Sequence, residues 1–319
     1  MVYTETRRRP KTAVIIPCFN VRDHIAGVIS AVPDYIDHII IVDDRCPQGS
    51  GKAAEKSGDP RVIVIYHEKN LGAGGAVVSG FRKGLELGCD ILIKIDGDGQ
   101  MNPADAEKFI APLRDERADY VKGNRFRDFS AVSAMPKMRL LGNSVLSFVV
   151  KLVSGYWNLV DPTNGYVAVS AGALQQIDLG RVAEGYFFET DMLIRLNIIN
   201  AVVAEVPIPA RYNGEPSSLS VARLAAVFPA KLLAGLVKRI MLKYYVYDFN
   251  MASVYLLIGV PLFLFGVAFG IYQWIESYLS GVPRSPGTIM LVALPIIVSF
   301  EMLLQAINID IHSNSMPKK

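Results

Sequence analysis

One stretch limits what this 319-residue chain can fold into more than any other: Phe249 to Ile275 carries no charged residue. As a helix it would be about 40 Å long at ~1.5 Å per residue. A bilayer's hydrocarbon core is about 30 Å thick, so the run predicts a tilted membrane span. A second apolar run, about 287–309, is interrupted by Glu301. Between them lies a short connection, Glu276–Pro286, with Gly281 and Pro283. The two runs predict a transmembrane hairpin over about 249–312. Composition agrees, with 51% hydrophobic and only 20% charged residues; a soluble domain carries about a quarter charged residues. Intrinsic disorder is excluded by the same figures.

Basic residues orient the hairpin. Arg223, Lys231, Lys238, Arg239 and Lys243 precede the first run, with no acidic residue between Glu215 and Asp248. The connection holds Arg284, and the tail (313–319) ends in Lys318-Lys319. The positive-inside rule then puts residues 1–248 and the C-terminus in the cytoplasm, in a multi-pass protein of the cytoplasmic membrane. Residues 221–248 read as an amphipathic juxtamembrane helix, with Leu232, Leu233, Leu236, Ile240 and Tyr244 at helical spacing among cations. The competing reading is a helix that packs on the domain. Within the spans, Gly266 and Gly270 make a small-residue pair, with Gly259 two turns earlier. Glu301, Gln305 and Asn308 share one helix face. Both features predict packing on protein, including self-association of the spans, although Glu301 at the interface can also snorkel.

Net charge is +3, from 33 basic and 30 acidic residues. That balance excludes a nucleic-acid binder. Cys18, Cys46 and Cys89 are far apart and form no paired motif, which argues against a disulfide framework or zinc site. The first residues lack the long apolar run and cleavage site of a signal peptide.

Residues 1–220 read as an α/β domain. Thr12–Pro17, His38–Asp43, Val62–Tyr66 and Asp90–Ile95 are short β-branched-rich runs, as in strands buried on both faces. Helical stretches at about 21–32, 74–88 and 103–117 separate them. Such alternation predicts a doubly wound, mostly parallel sheet, with ligands beyond the carboxyl ends of its strands. Those ends read Pro17-Cys18-Phe19-Asn20, Asp43-Asp44 and Asp96-Gly97-Asp98-Gly99-Gln100. A glycine between two carboxylates lets one turn aim both at a single point. Hard oxygen donors there suit Mg²⁺ or Mn²⁺; a plain turn is the alternative. Gly49-Ser50-Gly51-Lys52 imitates a P-loop, but Cys46 and Ala53 break its pattern. Gly72-Ala73-Gly74-Gly75 imitates a dinucleotide fingerprint, but Val77 stands where its third glycine belongs.

As an ordered set, these motifs resemble the family-2 glycosyltransferases with a GT-A fold. The chain is most similar to polyprenyl-phosphate glycosyltransferases of the dolichyl-phosphate mannose synthase and undecaprenyl-phosphate glucosyltransferase type, over about residues 12–245. The resemblance implies that Pro17, Phe19, Asn20, Asp43, Asp44, Asn70, Gly72 and Asp96 bind the nucleotide sugar. It implies that Asp96, Asp98 and Gln100 hold the metal, and that Arg125 of Gly123-Asn124-Arg125 reaches phosphate. Arg139, Asn143 and Arg211 fall where the family contacts acceptor or phosphate groups. The resemblance further implies that Asp161, in Asp161-Pro162-Thr163-Asn164-Gly165, faces the sugar, that Glu189 with Asp191 matches an acidic pair, and that Asp98, Asp161, Arg125 and Glu189 form the catalytic set. The chain departs from the family at Val21, at Arg45-Cys46, and at Ser217-Ser218-Leu219-Ser220.

The implied activity is inverting transfer of a hexose from a nucleotide-diphosphate sugar, UDP-linked by preference, to a polyprenyl phosphate. The product would be a lipid-linked sugar for cell-envelope glycan or protein glycosylation, moved by a flippase and consumed by a downstream transferase. A GDP-mannose-using enzyme and a transferase with a non-lipid acceptor are the alternatives. A processive synthase would need more spans and a Gln-x-x-Arg-Trp motif, which is absent.

Overall fold

The runs read as strands are strands: β1 (Thr12–Cys18), β2 (His38–Asp43), β3 (Val62–Tyr66) and β4 (Ile91–Lys94). The protein is described by a computed structural model covering residues 8–126, 137–209 and 221–313. Three further strands, β5 (Tyr120–Asn124), β6 (Val167–Ser170) and β7 (Val203–Pro207), complete a sheet ordered β3-β2-β1-β4-β6-β5-β7. β1 to β4 are mutually parallel where they pair, and β7 is parallel to β5. β6 runs antiparallel to both of its neighbours.

Helices cover both faces: α1 (Arg22–Ser30), α2 (Ser50–Glu55), α3 (Gly72–Glu86), α4 (Ala106–Arg114), α5 (Lys137–Ser154), α6 (Ala171–Gln175) and α7 (Phe188–Ile198). Alternate residues of β1 therefore enter two cores. Ala13 and Ile15 meet Val77 and Phe81 of α3 and Met192 and Leu193 of α7. Val14 and Ile16 meet Ile25 and Ile29 of α1 and Phe109 of α4. Asn102 caps the turn leading into α4 by accepting from the Ala104 amide, as the Asn-Pro signal predicts. The short α2 has no counterpart among the predicted helices; it begins inside the P-loop imitation.

The chain divides into two units, with the boundary between Val237 and Lys238. α8 (Val221–Ile240) runs across this boundary and continues as a π-helical stretch, Met241–Tyr247. Gly235 lets the helix approach Ile194, since a Cβ there would lie 2.6 Å from its Cδ1. Leu233 and Val237 stay exposed on another side. The helix thus packs on its domain and also presents an apolar stripe.

In the second unit, α9 (Met251–Ser280) and α10 (Pro286–Ser313) are both long and apolar enough to cross a membrane. An Asn250–Ser253 capping box opens α9, and Gly281 at φ 66° closes it, past Glu276. The small-residue stripe packs within the chain: a Cβ on Gly266 would lie 2.7 Å from Ile296, and on Gly270 2.8 Å from Val292. Gln305 donates to Glu301 on the exposed surface of α10. Arg239 pairs with Asp310 at 2.6 Å, and the Tyr244 hydroxyl donates to the same carboxylate.

Candidate active site

The antiparallel β6 concentrates chemistry at one edge of the sheet. Its entry loop, 161–165, arrives where β1, β2, β4 and β5 end. Val167 lies opposite Lys94 on one side and Lys122 on the other. Laterally paired residues share a face, so two lysines flank one valine on the side covered by α3 and α7.

The residues assigned to the nucleotide by resemblance lie along the neighbouring strand ends. Asp43 and Asp44 are buried and already hold the loops around them. Asp43 accepts from the Cys46 amide (2.6 Å) and the Gly51 amide (2.7 Å). A Cβ on Gly51 would lie 2.8 Å from the Asp43 carboxylate, so the P-loop imitation is the footing of this aspartate. Asp44 accepts from the Leu71 and Gly72 amides, each at 2.8 Å, and from His67 Nδ1 at 2.7 Å. Asn70 donates to the Asp44 carbonyl. The predicted members Asp44, Asn70 and Gly72 are therefore brought together, with His67 and its partner Ser79 as unforeseen support. Phe19 and Asn20 are exposed, and Asn20 adopts φ 60°. The Asn20 amide donates to Cys46 Sγ, which also lies 3.1 Å from Ser50 Oγ. Burial pushes the Cys46 thiol up, but these hydrogen bonds outweigh it and leave it below its ordinary value.

Asp96 and Asp98 follow β4. Gly97 brings their turn onto the end of β1, because a Cβ there would lie 3.0 Å from Val21 and 3.5 Å from the Pro17 carbonyl. Asp98 accepts from the Gln100 amide at 2.9 Å. Among the described residues no group of three or more His, Cys, Asp or Glu forms a ready metal cage. The pair nevertheless fits Mg²⁺ or Mn²⁺: Mg²⁺ sites use one or two carboxylates and complete the shell with water and substrate phosphate.

Lys94 was not foreseen. Its ammonium lies 2.6 Å from Asp96 Oδ1 and 3.9 Å from Glu189 Oε1, and the side chain is 7% exposed. Burial alone would lower it, but Asp96 and Glu189 hold it above the usual lysine range. Gly165 makes room for this meeting. A Cβ there would lie 2.6 Å from Lys94 Nζ, 3.0 Å from Glu189 Oε1 and 3.1 Å from Asp96 Oδ2. The predicted residues Asp96 and Glu189 and the 161–165 loop thus converge on one point. Asp191 instead accepts from the Ala183 amide and from Arg195.

Beside that point is a second, deeper network. Arg125 clamps Asp161 through Nε at 2.8 Å and Nη2 at 3.1 Å, with about a third of its side chain exposed and Asp161 fully buried. Glu205 Oε1 accepts from the Val160 and Asp161 amides, and its Oε2 accepts from Asn124. Lys122, fully buried, donates to the Asn164 carbonyl. Burial pushes Glu205 up and Lys122 down from their ordinary values. Sequence reasoning missed Lys94, Lys122 and Glu205, although a lysine inside a buried strand is a visible demand for an anion or carbonyl. Arg139 and Asn143 fall on α5, with side chains outside the described set; Arg211 and Ser217–Ser220 lie outside the described residues altogether.

Residues 13–178 match the family model for glycosyl transferase family 2. The chain belongs to this family. Among its family-2 relatives, a UDP-N-acetylglucosamine–dolichyl-phosphate N-acetylglucosaminyltransferase of Methanococcus voltae is 32% identical, over 63% of this chain and 85% of that protein. An undecaprenyl-phosphate mannosyltransferase of Micrococcus luteus is also 32% identical, over 62% of this chain and 82% of that one. Glucosyl-3-phosphoglycerate synthase of Mycobacterium tuberculosis, solved with Mn²⁺, UDP and glucosyl-3-phosphoglycerate, superposes with a TM-score of 0.52 at 20% identity. That match covers 72% of this chain and 80% of the other and supports the GT-A fold.

Proposed function

We propose that the protein transfers a hexose, inverting its anomeric centre, from a nucleotide-diphosphate sugar to a polyprenyl phosphate at the cytoplasmic face of a membrane. The observation that carries this reading is the convergence of Asp96, Glu189 and the 161–165 loop at a strand edge, in a chain that also has two helices long enough to span a bilayer. Relatives named for dolichyl and undecaprenyl phosphate support the acceptor class. UDP-hexose is the favoured donor, supported by the UDP-sugar named for the first relative and the UDP bound by the structural neighbour.

A phosphate oxygen of the acceptor attacks the anomeric carbon while the bond to the diphosphate oxygen breaks, so an α-linked donor gives a β-linked product. A phosphate monoester already carries about −1.5 to −2 charge at neutral pH, so a strong general base is unnecessary. Asp96 and Asp98, with Gln100, would hold Mg²⁺ or Mn²⁺, which offsets charge on the departing diphosphate. Arg125, held by Asp161, and Arg211 add planar donors for phosphate. Glu189 and Asp161 position the sugar. α5, which carries Arg139 and Asn143, exposes Val145, Leu146 and Phe148 as apolar surface for a prenyl chain. Residues 1–220 act as the catalytic domain, 221–248 lie at the interface and 249–312 anchor the protein. Glu301 and Gln305 offer the spans a polar face for self-association, and a flippase and a further transferase use the product.

Membranes containing the protein are incubated with undecaprenyl phosphate and a panel of labelled nucleotide sugars. Lipid-soluble label from a UDP-hexose, lost in Asp98→Asn, is expected. No lipid-soluble label from any donor overturns the proposal, and unchanged turnover in Asp98→Asn removes the metal assignment.

A further inference from the structure

Lys94 is the least expected charge in the molecule. The strand that carries it is otherwise apolar, and its same-face neighbours Leu92 and Val167 belong to the core. A lone ammonium in such a place is costly, so its partners define its purpose. Those partners are Asp96, the first carboxylate of the Asp-Gly-Asp turn, and Glu189, from the first turn of α7. Lys122, one strand beyond β6, uses its ammonium on the Asn164 carbonyl. Lys94 therefore stands as the resident cation of the carboxylate cluster itself.

This residence has a consequence for any second cation. The turn supplies two carboxylates, and one oxygen of Asp96 is already 2.6 Å from a fixed positive charge. A divalent ion approaching the turn meets that charge, and among the described residues no third carboxylate joins the turn to make a metal cage; Glu189, the other carboxylate at this point, faces the same ammonium. A nucleoside diphosphate changes the balance, because it brings its own oxygen ligands and negative charge. Gly165, open enough to admit Nζ, Oε1 and Oδ2 around one point, fixes the arrangement sterically.

We propose that Lys94 is a positioning residue that couples metal loading to the nucleotide: it neutralises Asp96 and Glu189 in the empty site, so that the Asp96–Gly97–Asp98 turn holds a divalent cation tightly only together with a nucleoside diphosphate. The inference rests on the metal assignment made above. A purely structural ion pair predicts something different: losing it lowers stability and leaves the metal's dependence on nucleotide unchanged.

Binding of Mn²⁺ to the full-length protein in detergent is measured by the electron paramagnetic resonance of the free ion, with and without UDP. In the wild type, UDP tightens Mn²⁺ strongly. Lys94→Met leaves the carboxylates without their resident cation, and Mn²⁺ alone binds about tenfold tighter or more. The enhancement by UDP shrinks by a similar factor, and by linkage the enhancement of UDP binding by Mn²⁺ shrinks equally. Lys94→Arg, which keeps the charge, behaves like the wild type. Glu189→Gln serves if Lys94→Met does not fold: with one carboxylate gone, Lys94 neutralises Asp96 alone, and Mn²⁺ without UDP binds more weakly than in the wild type. Unchanged or weaker Mn²⁺ binding in folded Lys94→Met, while UDP still recruits Mn²⁺ to the wild type, overturns this inference and leaves the metal assignment standing. Failure of the wild type to bind Mn²⁺ even with UDP overturns both.

Discussion

Glu205 is itself assigned no substrate contact, yet it holds the main chain of Asp161, and its removal is expected to be among the most damaging changes in the domain. Its Oε1 accepts from the Val160 amide at 2.8 Å and the Asp161 amide at 2.9 Å, and its Oε2 accepts from Asn124 at 2.8 Å. Glu205→Ala strips three donors of their acceptor. Val160 is exposed and regains water, so two losses count. A hydrogen bond to a charged group is worth about 1.5–3 kcal/mol, and relief of the buried charge returns part of that. The net loss is about 3 kcal/mol, or roughly 6–12 °C in Tm for a domain of this size. Glu205→Gln keeps one oxygen for the two amides but turns an NH₂ toward Asn124, whose own carbonyl is committed to the Phe126 amide at 2.9 Å. Its loss is about 1–2 kcal/mol.

Thermal melts of the detergent-solubilised variants read these losses, and turnover of the favoured donor reads the site. Because Glu205 sets where the 161–165 loop begins, kcat falls about tenfold or more in Glu205→Ala, with a smaller change in KM for the nucleotide sugar. Burial holds the Glu205 carboxyl above its ordinary range. Its titration therefore contributes stability that is fully present below the ordinary carboxylate value and lost as pH rises through the folded value. Glu205→Gln lacks that contribution, so the gap between it and the wild type widens as pH falls from neutral. A Glu205→Ala melt within 1 °C of wild type, or equal losses in the Ala and Gln variants, refutes the reasoning.

Three further outcomes are expected. Gly165→Ala puts a methyl 2.6 Å from Lys94 Nζ and 3.0 Å from Glu189 Oε1; it costs about 1–3 kcal/mol by overpacking and lowers kcat, both measurable on the same samples. Lys122→Met removes a fully buried ammonium whose charged form burial already disfavours, but it also strands the buried Asn164 carbonyl; the two effects oppose, so stability changes by less than about 2 kcal/mol while turnover falls as that carbonyl loses its donor. Arg239→Ala leaves Asp310 buried without its 2.6 Å partner and costs about 3–5 kcal/mol, whereas the double change Arg239→Met with Asp310→Leu recovers most of it; equal melts for the single and double variants would contradict that account.

The strand runs and spans were legible because their signals are local. β2 and β3 have the predicted bounds, while β4 is one residue shorter at each end. The spans extend further than charge-free composition suggests: α9 passes Glu276, whose carboxylate meets Arg284 at 3.1 Å. The short α2 was illegible because six residues carry too little periodicity; tertiary hydrogen bonds to Asp43 decide it. The small-residue stripe announced close packing correctly but could not name the partner, which is α10 of the same chain.

Site residues divide along the same line. Asp96 and Asp98 were visible because acidic residues after a buried strand are conspicuous, and Asp161 was reached through the family resemblance; Lys94, Lys122 and Glu205 were hidden inside strands, where the eye reads β-branched pattern. Their role depends on β6 running against its neighbours, a fact of register that no short motif encodes. Once β6 is antiparallel, Val167 must sit between Lys94 and Lys122, and the loop feeding it must enter beside Asp96. Lys94 then faces Glu189 as well as its sequence neighbour Asp96, and Lys122 faces the Asn164 carbonyl. A lysine in a buried strand, two residues before an Asp-Gly-Asp turn, is therefore a readable sign in its own right: it states that the turn's charge is partly balanced before any ligand arrives.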